Sequence, residues 1–271
     1  MKVNWLSIFL AGLLPSLLGN AEEGPESPAT FSREHFEIDG QPAFMILPSL
    51  EKTKEAKSIP WVLYAPTFAG RLPSDRDEGW MMQRWLDQGI AIAGIDIGES
   101  YGSPAGRETY TKLHEKLVEQ FRFDSKASLL ARSRGGLMLY CWAVENPEKV
   151  RCIAGIYPVC DLTSYPGIEK ACGAYGMAAE EQKAKLHLHN PIPRLAPLAK
   201  EQVPILHIHG AKDKLVPLAA NSGAMKQEYD RLGGSMKLIV APDQWHNMWR
   251  GFFECQELVD FVIQNARARY Q

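Results

Sequence analysis

Short apolar runs punctuate the chain at Trp61–Ala65, Ile90–Ile97, Ala127 to Arg132, Cys152–Val159, Pro204–His209 and Met236–Ala241. Runs of this length, bounded by turn formers, predict buried β-strands. Between them, apolar positions recur at helical spacing over Gly79–Leu86, about 109–121, Leu137–Glu145, about 218–232 and about 255–267. His35–Ile38 and Ala43–Leu47 flank Asp39-Gly40-Gln41-Pro42 and predict a β-hairpin. Strands alternating with helices in this rhythm mean βαβ units and a mainly parallel sheet. In such sheets functional groups gather at the carboxyl ends of the strands. The longest interval between strands, about 161–202, holds Tyr165-Pro166-Gly167, a mixed helical pattern through Lys185, and Asn190-Pro191-Ile192-Pro193.

The first residues break the rhythm. One early lysine, the apolar run Trp5–Leu18 and small residues at Gly19 and Ala21 predict a secretory signal peptide over 1–21. An uncleaved anchor is the alternative, although Pro15 interrupts a run already short for a membrane span. Cleavage after Ala21 would release a secreted or periplasmic chain without a stable span. The remainder, 22–271, suits one α/β domain, opening with a leader over 22–31 rich in Glu, Pro and Ser.

Composition narrows the partners. A net charge of −2 without a basic block gives no footing for nucleic acid. The five cysteines, Cys141, Cys152, Cys160, Cys172 and Cys255, form no close pair that would suggest a zinc cluster. Export makes a disulfide plausible, and Cys160–Cys172, flanking the start of the long interval, is the expected pair, with Cys255 a rival partner. Cys141 and Cys152 read as packed thiols. His187 and His189 lack a third ligand at clear spacing and read as a solvated loop, His35 and His114 as surface residues, and His207 and His209 as satisfied core histidines. The sequence leaves the oligomeric state open.

Chemistry concentrates at Leu129-Leu130-Ala131-Arg132-Ser133-Arg134-Gly135-Gly136. Small residues two before and two after Ser133 permit a strand–turn–helix hairpin that strains the serine and lifts its hydroxyl from the sheet edge. A helix N-cap is the bland reading of the same serine. A serine nucleophile needs a base oriented by a carboxylate. His246, just beyond a strand in Pro242-Asp243-Gln244-Trp245-His246-Asn247-Met248, is the candidate base, and Asp213, in His209-Gly210-Ala211-Lys212-Asp213-Lys214-Leu215-Val216-Pro217, the candidate orienter. Asp161, after Val159, is the rival acid, or else a helix cap or a partner for an arginine.

The order Ser133, Asp213, His246, with Ala131 in place of the first glycine of Gly-x-Ser-x-Gly, resembles the α/β-hydrolase superfamily in its esterase, prolyl-oligopeptidase-like and dienelactone-hydrolase-like branches. The resemblance runs from about Trp61 to the C-terminus. It implies an α/β-hydrolase fold, acyl transfer through Ser133 without metal or organic cofactor, and a small cap insertion over 161–202. It also implies an oxyanion hole built from the backbone N–H of Arg134 and that of Thr67, with Phe68 as the alternative; Pro66 has no N–H to give. Arg107, Arg132 and Arg134 are candidates to hold a polar substrate, against internal pairing of Arg132 or Arg134 with Glu99 or Asp161. Phe68 and Asp161 are further candidate substrate contacts. The expected substrate is a small-molecule or saccharide ester. The alternatives are a peptidase related to prolyl oligopeptidases and a catalytically silent binding protein on a hydrolase scaffold.

Overall fold

A computed structural model describes residues 31–268. The expected signal peptide and nearly all of the leader lie outside them. Eight strands, β1 (Glu34–Ile38), β2 (Gln41–Ile46), β3 (Trp61–Ala65), β4 (Ala91–Ile95), β5 (Ala127–Arg132), β6 (Val150–Ile156), β7 (Ile205–Gly210) and β8 (Met236–Ala241), form one sheet in the order β1-β2-β4-β3-β5-β6-β7-β8. β1 and β2 are antiparallel to their neighbours; every other pairing is parallel. The β1–β2 hairpin turns on Asp39 and Gly40, both at positive φ (51° and 77°), as a tight turn matching strand twist requires.

The period of two along each strand sorts the core into two layers. Trp61, Leu63, Ala65, Leu129 and Ala131 pack on one face and Val62, Tyr64 and Leu130 on the other. The first face is covered by α2 (Pro104–Phe121), α3 (Gly135–Ala143) and α4 (Ala224–Arg231), the second by α1 (Asp75–Asp87) and α5 (Gln256–Arg267). Two helices start earlier than apolar spacing suggests. Ser74 caps α1 through Asp77 N, and Ser103, followed by Pro104, caps α2 through Gly106 N. The expected helix over 218–232 opens instead with a π-helical turn, Ala219–Gly223, before α4.

The 161–202 interval folds into short helices and 3₁₀ turns whose apolar residues Leu162, Ala171 and Tyr175 pack on Leu137, Val159 and Val216. Arg107, α3's neighbour Glu145 and Arg194 bind this segment to the body, with Arg107 Nε 2.8 Å from Glu145 Oε2. All five cysteines are free. The expected Cys160–Cys172 bridge is absent because Cys160 is buried in the first core layer, its Sγ 3.5 Å from Pro158 O, while Cys172 turns back on Glu169 O at 3.4 Å. His114 is also buried, not on the surface; it lies between Trp61 and Trp142 and bonds Ser125 O at 2.9 Å. His189 is buried against Tyr175, and only His187 is solvated. Among the described residues no helix is long and apolar enough to cross a membrane.

Candidate active site

β5 delivers Ser133 at the carboxyl edge of the sheet, in the left-handed region at φ 51°, where a non-glycine residue is strained. Hydrogen bonds on both sides hold it there: Ser133 N–H donates to Ile156 O at 3.0 Å, and Ser133 O accepts from Val159 N and Gly136 N at 2.8 and 2.9 Å. Gly135 is required by close approach, because a Cβ would stand 2.2 Å from Ala65 O and 2.5 Å from Pro66 N. Ala131, fully buried within β5 and paired with Ala65 and Gly155, replaces glycine without conflict.

Ser133 Oγ lies 2.8 Å from His246 Nε2, and His246 Nδ1 lies 2.7 Å from Asp213 Oδ2. The loop after β8 carries His246, and the loop after β7 carries Asp213. Leu215 N and Val216 N donate to Asp213 Oδ1 at 3.0 and 2.8 Å. Burial pushes the Asp213 carboxyl up, but hydrogen bonds from His209, His246 and Val216 N outweigh it and hold the group well below the usual carboxylate range. It is therefore an anion facing Nδ1, which sets the proton on Nδ1 and leaves Nε2 free to accept from the serine. Tyr157, itself at φ 36°, tilts its ring 4.3 Å from that of His246, centroid to centroid. Sequence reading missed Tyr157; only its place at the end of an apolar run could have signalled it.

The backbone donors around the serine divide into engaged and unengaged ones. Ser133 N, Gly136 N and Phe68 N all have carbonyl acceptors, Phe68 N bonding Leu72 O at 3.2 Å. Arg134 N and Thr67 N have no acceptor among the described residues. The near-contact of Gly135 with Ala65 and Pro66 brings their two loops together. Thr67, with its hydroxyl on Tyr64 O at 3.1 Å, is thus the better placed of the two expected donors.

The remaining candidates separate. Arg134 pairs with Glu99 at the surface, its guanidinium 5.3 Å from the Phe68 ring. Arg132 does not: it is buried and paired with Glu78, with Tyr64 and Met248 as further partners. Its partner is neither Glu99 nor Asp161. Arg107 is engaged by Glu145 and by Gly102 O at 2.7 Å, and through Glu145 it is tied to Arg194 of the 161–202 interval. Asp161 accepts from Thr163 N at 3.0 Å and Asn190 Nδ2 at 2.9 Å, closing a local turn and leaving the imidazole to Asp213. Among the described residues no group of three His, Cys, Asp or Glu side chains could hold a metal ion.

A family model described as the prolyl oligopeptidase family, Peptidase S9, matches residues 108–266. No curated protein matches the chain by sequence. The fold is similar to that of an acylaminoacyl peptidase from Pyrococcus horikoshii, with TM-score 0.65 and 18% identity, covering 86% of this chain and 40% of that one. It is also similar to a puromycin-hydrolyzing peptidase from Mycobacterium tuberculosis, with TM-score 0.70 and 14% identity, covering 90% and 41%. Est1E from Butyrivibrio proteoclasticus matches with TM-score 0.61 and 15% identity, covering 86% of this chain and 98% of Est1E. The chain thus spans about two-fifths of the length of the two peptidases.

Proposed function

We propose, for a chain that belongs to the prolyl oligopeptidase family and has the α/β-hydrolase fold of a serine hydrolase, that it is exported and cleaves carboxylic esters through an acyl-enzyme on Ser133. The observation that carries this reading is the line Ser133–His246–Asp213, with the Arg134 and Thr67 amides unengaged beside it. Ser133 Oγ attacks the acyl carbonyl and its proton passes to His246 Nε2. The oxyanion is held by Arg134 N–H and Thr67 N–H. Collapse expels the alcohol, which takes the proton from Nε2, and the acyl group stays on Ser133. Water then attacks with His246 as base, releasing the acid and restoring the serine. Asp213 keeps the imidazole in the Nδ1–H tautomer throughout. Neither step draws on a metal or organic cofactor.

The leaving alcohol must sit near His246, from which it takes its proton. The exposed large apolar side chains of that loop are Trp245, Met248 and Trp249. Indoles offer flat apolar faces with a polar edge, suited to a sugar ring or an aromatic alcohol. Together with the expected signal peptide, this favours a saccharide-linked or other polar ester. Family membership keeps a peptidase as the second reading.

A fluorophosphonate probe should label Ser133 in the purified protein and leave a Ser133→Ala variant unlabelled; failure to label favours the silent scaffold. Turnover of acetylated sugars, feruloyl esters, aryl esters and peptides then separates the classes. A higher kcat/KM for a peptide amide than for the matched ester would replace the esterase reading. N-terminal sequencing of protein recovered outside the cytoplasm should begin at Glu22.

A further inference from the structure

Behind Asp213 runs a second line of buried polar groups that the proposed chemistry does not use. Tyr140, His207, Ser222 and His209 are all inaccessible to solvent. Ile205, His207 and His209 alternate onto the face of β7 that α3 and the π-helical turn cover. Tyr140 comes from α3 and Ser222 from that turn. Gly155 on β6 stands opposite His207 in register, and a Cβ there would meet His207 Cδ2 at 2.4 Å, so glycine makes the room for the ring.

The donors and acceptors can be assigned from the far end backwards. His209 Nε2 is 2.9 Å from Val216 O and 3.4 Å from Asp213 Oδ2. Both are acceptors, so Nε2 carries the proton. In a neutral ring His209 Nδ1 is then an acceptor, and Ser222 O–H donates to it at 2.8 Å. Ser222 has one proton, so the 2.9 Å contact with His207 Nδ1 must be donated by the histidine. His207 Nε2 is left to accept from Tyr140 O–H at 2.6 Å. Burial and neighbouring His209 lower His207 to about 3, keeping it neutral, and burial raises the Tyr140 phenol, keeping its proton. Every bond runs the same way and ends at the His209 Nε2–H, which bonds Val216 O and lies 3.4 Å from Asp213 Oδ2.

We propose that Tyr140, His207, Ser222 and His209 are positioning residues that set the His209 N–H between Val216 O and the Asp213 carboxylate, whose Oδ1 Val216 N also holds, and so keep that carboxylate against His246. The proposal rests on the reading of Ser133, His246 and Asp213 given above. The π-helical turn has a purpose here: it sets Ser222 between both histidines while its neighbour Asn221 bonds Cys160 N at 2.8 Å. Wide turns of this kind often occur at functional sites.

The test is a double-mutant cycle on p-nitrophenyl acetate hydrolysis, with folding checked by circular dichroism. Ser222→Ala removes the hydroxyl that both histidines use. It should lower kcat about tenfold or more with KM unchanged, and slow fluorophosphonate labelling in parallel. Tyr140→Phe, at the far end, should lower kcat less. In an Asp213→Asn background Ser222→Ala should cost nothing further, because the chain acts through that carboxylate. An equal loss in both backgrounds, or unchanged kcat in a folded Ser222→Ala protein, would overturn the proposal. If Ser222→Ala does not fold, Tyr140→Phe takes its place in the cycle, with the same two outcomes. Unchanged kcat in Asp213→Asn itself would instead overturn the assignment of the acid, and this proposal with it.

Discussion

Arg132, the residue before Ser133, closes on the carboxylate of Glu78 beneath the elbow. Glu78 is fully buried and holds two further donors, Tyr64 O–H at 2.6 Å and Ser74 N at 2.8 Å. The pair therefore ties β5, β3 and the start of α1 under the serine. Removing one member of such a pair strands a buried charge. Arg132→Met should destabilise the protein by about 3–5 kcal/mol in urea unfolding, with little change in KM. A raised KM with stability within about 1 kcal/mol of the parent would return Arg132 to the substrate pocket.

What the amino-acid order disclosed and what it hid follow the range of the interactions. β3 coincides with the apolar run Trp61–Ala65, because a strand buried throughout needs only continuous hydrophobicity, and β8 with Met236–Ala241, although as the edge strand it is buried only at its two ends. Ser133, Asp213 and His246 were legible since each follows such a run and carries its local turn chemistry. Arg132 was not, since its partner is 54 positions away and charge alone does not say which carboxylate it meets. His114 and His189 look polar in one dimension, and only packing reveals the tryptophans and tyrosine around them. The turn bearing Ser222 reads as ordinary helix, because a single inserted residue leaves the apolar spacing almost unchanged.

Asp213 and Asp161 can be told apart by one substitution each. Asp213→Asn should lower kcat by about 10³- to 10⁴-fold, because an amide facing Nδ1 favours the wrong tautomer. Asp161→Asn keeps an acceptor for Thr163 N and should change kcat little. A folded Asp161→Asn protein with the greater loss would move the acid to the end of β6.

His207 predicts a pH dependence of stability. Its folded pKa is lowered to about 3 by burial and by His209, while an unfolded histidine titrates near 6.5. Between these values the unfolded chain binds the extra proton, so stability falls as pH falls. This group alone should remove about 1.4 kcal/mol per pH unit below about 6.5. Urea unfolding from pH 7 to pH 4 should therefore be flatter in His207→Gln by roughly that slope. Parallel curves for parent and variant would mean that His207 is protonated in the folded protein.

The two small residues around Ser133 should respond differently to substitution. Ala131 already carries its methyl inside β5, so Ala131→Gly removes packing and adds chain entropy, costing roughly 1 kcal/mol. Gly135→Ala is another matter. The new Cβ would meet the backbone of Ala65 and Pro66 at 2.2–2.5 Å, and no flexible side chain is there to yield. Relief requires the elbow and the loop of Thr67 to part, separating the two N–H groups proposed to hold the oxyanion. Overpacking of this kind costs about 1–3 kcal/mol. A shift of about 1 Å in such donors can lower kcat by roughly 10²-fold. Thermal unfolding and aryl-ester kinetics of the two variants should show Gly135→Ala losing both stability and kcat and Ala131→Gly losing chiefly stability. Equal kcat in the two folded variants would mean that the Thr67 loop does not take part in holding the oxyanion.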